Sequence, residues 1–203
     1  MTTKIVQVYC PNCKTPMFSK PQDVDNVFLC DNCGTMHVRS NGNVETIGYE
    51  FGAFDVDKKS EGERVYLPFW VLNAQFDIHN LSAQGGGLGN LFGLLGGGQD
   101  RQGTIVIYMP AYDMDPGHFK DVSMYHTGNP PQYRASKPEP GVRRLKCALT
   151  VELLPQMADF IFVTSVAEKP GTLQRLDYTL NITGKRFIYL PHYLQGERYK
   201  PGY

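Results

Sequence analysis

Four of the five cysteines stand in two pairs of equal spacing, Cys10 with Cys13 and Cys30 with Cys33. Thiolates separated by two residues on a tight turn can both reach one ion. Two such knuckles supply four sulfurs at tetrahedral geometry. Turn-forming residues lie between the ligands, Pro11-Asn12 in one pair and Asp31-Asn32 in the other, and Gly34 follows the second. Small residues there let backbone amides approach sulfur. The chemistry implied is one structural Zn2+ held by Cys10, Cys13, Cys30 and Cys33, because four thiolates leave no open position for catalysis. A redox C-x2-C is the alternative, but such motifs open a helix, and two matched knuckles argue against it. His37, four residues after Cys33, reads as an exposed strand residue rather than a spare ligand. Cys147 has no sequence partner and reads as a small buried apolar residue.

Knuckles need strands to hold them. Residues 5–9 and Val27-Phe28-Leu29 lead into the pairs, and Met36–Arg39 and Val44–Ile47 flank Asn41-Gly42, the signal of a hairpin with a type I′ turn. Residues 1–48 are therefore expected to form a zinc ribbon. Their charges cancel: Lys4, Lys14, Lys20 and Arg39 face Asp23, Asp25, Asp31 and Glu45. A ribbon that binds nucleic acid carries a basic face, so a scaffold or protein-docking role is favoured over it.

The whole chain has 203 residues, with 20 basic and 20 acidic side chains, so bulk electrostatic binding to nucleic acid or anionic lipid is not expected. At 41% hydrophobic residues it is not a disordered chain. The N-terminal residues lack the basic start and apolar run of a signal peptide, and no apolar run of about 18 residues exists. Paired cysteines fit a reducing compartment. A cytoplasmic location is expected, with peripheral contact at the inner face of a membrane as the variant of it.

From residue 49 onward, three segments echo one another: Val65–Trp70, Ile107–Tyr112 and Ile188–Tyr193. Each reads aliphatic, Tyr, aliphatic, Pro, any residue, aromatic. Proline cannot donate to a central ladder, so each should mark a strand end, an edge or a bulge, with the aromatic residues on a shared core. Strands are also expected at 49–57 and 64–78 around a polar turn. Residues 116–125 suggest a short helix and 151–167 the main one. A last hairpin is expected from 176–182 and 186–190 around Thr183-Gly184-Lys185. The fold class is α+β: a small β zinc ribbon, then residues 49–203 as a mixed, mainly antiparallel sheet domain with one main helix.

No HExxH, GxSxG, Walker A or dinucleotide-binding glycine pattern is present. The most site-like cluster is Asp113, Asp115 and His118, where two carboxylates and an imidazole could hold a cation. A polar turn capping a short helix explains the same residues. The basic stretch Arg134, Lys137, Arg143, Arg144 and Lys146 reads as a solvated loop and strand edge.

The segment 84–99, QGGGLGNLFGLLGGGQ, carries no charge. Leu88, Leu91, Phe92 and Leu95 fall on one face of a short helix, with Leu94 beside them. Such a surface calls for a cover: a protein partner, an identical chain or a membrane interface, or else its own domain. With all these pieces in view, the chain resembles a loose group of bacterial zinc-ribbon proteins of uncharacterised function. The matching residues are CPNC (10–13), CDNCG (30–34), YLPFW (66–70), MPAY (109–112) and YLPHY (189–193). His192 departs from the pattern, where an aromatic or aliphatic residue fits better. The resemblance implies a ribbon joined to a Pro–aromatic strand domain and brings no activity with it. The function expected is a non-enzymatic adaptor or assembly subunit that docks on a protein partner. The alternatives are a nucleic-acid accessory protein and an enzyme using the Asp113/Asp115/His118 region.

Overall fold

The computed structural model describes residues 8–18, 26–41, 43–84, 101–168 and 172–203. Short strands tied by turns come first. β1 (Val8–Tyr9) pairs with β2 (Pro16–Phe18), β3 (Val27–Leu29) with β4 (Met36–Ser40), and β4 with β5 (Asn43–Thr46), all antiparallel. The β4–β5 hairpin turns at Asn41, whose φ of 48° is the left-handed value that a type I′ turn requires at its first central residue. Then come β6 (Tyr49–Gly52), β7 (Glu63–Gln84), β8 (Gln102–Pro110), helix α1 (Pro116–Gly128), β9 (Ala135–Ser136), β10 (Arg143–Arg144), helix α2 (Leu154–Ala167), β11 (Thr172–Gln195) and β12 (Arg198–Pro201).

β7 and β11 form the spine of a seven-stranded sheet, antiparallel from Glu63 opposite Leu194 to Gln84 opposite Thr172. β8 and β10 share the free side of β7, and β6 and β12 share the far side of β11. The sheet is mixed, since β6 runs parallel to β11 and β10 parallel to β7, while β9 pairs antiparallel with β6.

Sequence pattern explains what covers the spine. Residues 65–72, VYLPFWVL, are apolar throughout and all buried, whereas 73–78, NAQFDI, alternate, with only Ala74, Phe76 and Ile78 buried. The first pattern belongs to a strand covered on both faces and the second to one covered on a single face. Even positions of β7, from Tyr66 and Trp70 to Ile78, join Ile105, Ile107, Met109, Phe187 and the inner side of α2 in one core. Odd positions Val65, Leu67, Phe69 and Val71 join Tyr108, Tyr112, Ile188 and Leu190 in a second core on the opposite face. The aromatic residues of the three echoing segments thus divide between two cores rather than sharing one. α1 lies along β8, where the Thr127 hydroxyl accepts the Tyr108 N–H at 3.1 Å and so covers part of that edge.

Pro68 and Pro191 lie inside the two central strands, not at their ends. Their missing donors fall in gaps between neighbours. Pro68 O accepts from Ala111 N–H at 2.8 Å, so its nitrogen faces the same side. On that side β10 pairs up to Tyr66 and β8 only from Phe69. Pro191 repeats the device between β6, which pairs up to Tyr189, and β12, which starts opposite His192. A side chain on Gly52 would put a Cβ 2.7 Å from the Pro191 ring, which explains glycine at the end of β6.

Two expectations are corrected. There is no single main helix: α1 has 13 residues and α2 has 14. Nor is there a hairpin at Thr183-Gly184-Lys185. The register shift between Ile182 and Gly184 leaves Thr183 as a bulge within β11, its hydroxyl donating to Asn73 O at 3.2 Å. Turn-forming residues absorb an extra residue in a strand as readily as they reverse one. No helix among the described residues is long and apolar enough to cross a membrane. The docking residues expected at Leu88, Leu91, Phe92, Leu94 and Leu95 lie outside the described residues, as does all of the 84–99 segment beyond Gln84.

Candidate functional site

Each C-x2-C sits on its own turn, one joining β1 to β2 and the other β3 to β4. Cys10 N–H donates to Thr15 O and Lys14 N–H to Cys10 O, both at 2.9 Å. In the second knuckle Cys30 N–H reaches Thr35 O at 2.9 Å and Gly34 N–H reaches Cys30 O at 2.7 Å. The residue after the second cysteine is left-handed in both, with φ 62° at Lys14 and 67° at Gly34. Glycine adopts that conformation freely, while a lysine there costs about 1–2 kcal/mol.

The two knuckles bring all four sulfurs within 4.8 Å of one another. Cys10 and Cys33 are 3.7 Å apart and Cys13 and Cys30 3.5 Å. Four sulfurs about 2.3 Å from a common centre would be about 3.8 Å apart, so the cluster is geometrically compatible with a metal site. The surroundings favour thiolate on one side of it. Asn32 Nδ2 donates to Cys13 Sγ at 3.4 Å and the Thr15 hydroxyl lies 3.2 Å away. The Asn32 amide and then the Thr15 hydroxyl pull the Cys13 thiol down to about 5, and Thr35 pulls Cys33 down as well. Burial pushes Cys30 up to about 12, a bias that a cation at the centre reverses.

His37 overturns its sequence reading. It is fully buried, with Nε2 3.2 Å from Cys10 Sγ and its ring 5.3 Å from that of Phe28. Met36 and Val38 on either side imply that an alternating strand turns residue 37 to solvent. Instead β4 is covered twice, by the shared core on the Met36/Val38 side and by the cysteines on the other. Cys147 is buried as expected, its thiol 3.2 Å from Leu149 O.

The knuckle region is fixed to the sheet. Val27, Met36 and Val38 belong to the core that contains Trp70. Tyr49 Oη donates to Gly34 O at 2.6 Å, Asn26 Nδ2 to Cys147 O at 3.2 Å, and Asn41 N–H to Glu152 Oε1 at 2.7 Å. Two members of the basic stretch are paired at this edge: Arg143 grips both Glu63 oxygens at 2.8 and 3.2 Å and Arg144 meets Asp31 at 3.6 Å, while Arg64, outside the stretch, meets Glu139 at 2.7 Å.

The Asp113–His118 cluster is split by the fold. Asp115 Oδ1 accepts the His118 N–H at 2.9 Å and caps α1. Asp113 and His118 instead line a cleft of about 790 Å³ on the second core face. His126 and His192, which the sequence did not single out as site residues, line it too. A signal for His192 was present: it occupies the position of Phe69 in its repeat, where an aromatic or aliphatic residue fits the resemblance better. No family model, no curated protein and no solved structure matches this chain.

Proposed function

We propose that the protein is a zinc-stapled docking subunit without catalytic chemistry at its metal. The observation that carries this is the closure of the four-sulfur site, whose Cys10 and Cys30 are fully buried. Soft thiolates in a tetrahedron select zinc, and a closed shell makes it structural. The ion ties the β1–β2 and β3–β4 turns together and so holds β3–β5 against the Trp70 core. Docking falls to the apolar segment 84–99. Among the described residues β7 pairs with β8 as far as Asp77. Its last seven residues, 78–84, extend about 23 Å farther at strand rise. Pairing of Arg64, Arg143 and Arg144 with carboxylates argues against a nucleic-acid role.

The test uses the full chain and a variant lacking residues 85–98, purified in parallel with metal analysis. Both should hold one zinc per chain and melt alike. Only the full chain should keep a stoichiometric protein partner or a second copy of itself. A partner retained by the deletion, or a chain without zinc, refutes the reading.

A further inference from the structure

The cleft on the second core face is bounded by α1, by the exposed end of the β7–β11 ladder and by the β11–β12 turn. At about 790 Å³ it matches the pockets that enclose small organic molecules. Leu67 and Phe69 form its floor, and Tyr112, Tyr125 and Tyr199 contribute rings to its walls. Phe69 already packs edge-on against Tyr112 and His126, and Tyr112 against Tyr199. Such an array offers ring faces and edges to another aromatic group.

Two imidazoles give the cleft polarity. His126 is 6% exposed and His192 is 4% exposed. Burial pushes both down to about 4, so both rings are neutral at pH 7. His192 Nδ1 lies 3.0 Å from Leu190 O and donates its proton there, which leaves Nε2 as an acceptor. His126 Nδ1 is buried without a hydrogen-bond partner. A buried polar atom in that state carries a desolvation cost.

Charge and geometry narrow the ligand. Asp113 and Glu197 stand beside the single Arg198 at the rim, so a phosphate or polyanion finds no cationic cluster. The histidines do not converge as metal ligands. Among the described residues, only the four cysteines form a group of three or more such atoms close enough to share an ion. We propose that the cleft binds a neutral hydroxylated aromatic molecule of the phenol or naphthol class, its ring against Phe69 and the tyrosines and its hydroxyl donating to His192 Nε2.

The experiment is calorimetric titration of the zinc-loaded full chain at pH 7 with 2-naphthol and, separately, 2-methoxynaphthalene. The two differ in the donor hydroxyl and little in shape. One saturable site should appear, with 2-naphthol bound about tenfold more tightly, the worth of one good hydrogen bond. His192→Phe keeps an aromatic ring and removes the acceptor, and it should bring the two affinities within about twofold. Should that variant not fold, nitrogen-15 chemical shifts of the wild-type histidines decide instead, with His192 Nε2 moving on addition of 2-naphthol and not of its ether. Equal affinities, an unmoved Nε2 resonance, or no saturation at millimolar 2-naphthol would overturn the proposal.

Discussion

The two faces of the central sheet are finished differently. One is sealed: α2 and the four-cysteine region lie over Trp70, Leu72 and Phe187, and the one imidazole buried on that side, His37, belongs to the cysteine cluster. The other is closed only in part. α1 stands over this face but, with the β11–β12 turn, leaves a cleft, and the groups buried at its edge include two neutral imidazoles. A face that serves stability alone can bury purely apolar side chains. Polar groups held in an apolar wall at a cost mark the face that meets something else.

The largest expected effect is on the sealed face. Structural zinc binds with roughly 10–16 kcal/mol in small ribbons, where binding and folding are one process. Chelation, or Cys30→Ser, should abolish hydrogen-exchange protection in β1–β5 while β7 and β11 remain protected. Protection unchanged in a metal-free chain would show that the knuckles need no ion. Next comes Trp70→Ala. The indole is fully buried, stacks edge-on with Phe187 at 4.9 Å and donates to Leu149 O at 3.0 Å. Its removal should cost about 3–5 kcal/mol in urea unfolding. A loss below about 1 kcal/mol would mean that the face is not sealed.

The cleft face should betray itself by pH. His126 and His192 are held near 4 in the fold, against 6.5 for an unburied imidazole. As pH falls below 6.5 the unfolded chain takes up protons that the folded chain refuses, so stability drops from there down to about pH 4. The loss is about 1 kcal/mol per histidine by pH 5.5. Above pH 10 the buried Tyr112 and the half-buried Tyr203, whose burial raises their pKa, act in the opposite sense: the unfolded chain loses protons first and stability falls again. Unfolding midpoints between pH 7.5 and 5.5, with zinc content followed in the same samples, check the acid limb. Replacing both histidines by phenylalanine should make it shallower, and an unchanged slope would place its origin in the cysteine cluster and the buried His37 beside it.

Local rules made the four-cysteine cluster legible, because ligand type and spacing are written in adjacent residues. They also exposed the β4–β5 hairpin, and the burial of Trp70 was readable from its unbroken apolar neighbours. What stayed hidden depends on tertiary contacts. His37 looked exposed because alternation assumes one covered face, and β4 has two. Thr183-Gly184-Lys185 looked like a turn because the same residues suit a bulge. Asp113 and His118 were seen together, but their companions in the cleft, His126 and His192, come from α1 and β11 and meet only when the sheet closes. The prolines of the repeats were read as strand breaks. Only the pairing shows that each central one sits where one neighbour stops and another begins.

The smallest effect locates where the open face ends. Along β7 the odd residues Val65, Leu67, Phe69 and Val71 are buried, whereas Asn73 and Gln75 are exposed. The even residues stay buried through Ile78. Past Val71, then, one strand carries a core on one side and water on the other. Gln75→Ala should change unfolding free energy by no more than about 0.5 kcal/mol, as exposed substitutions do. Its neighbour Phe76, which packs on Phe162 of α2 at 5.4 Å, should cost about 3–5 kcal/mol when cut to alanine. Measured together by urea unfolding, adjacent residues with such unequal costs would fix the boundary at this point of the strand. A loss of 1 kcal/mol or more at Gln75 would instead mean that something covers the polar stretch, and the contrast between the two faces would then hold only near the cleft.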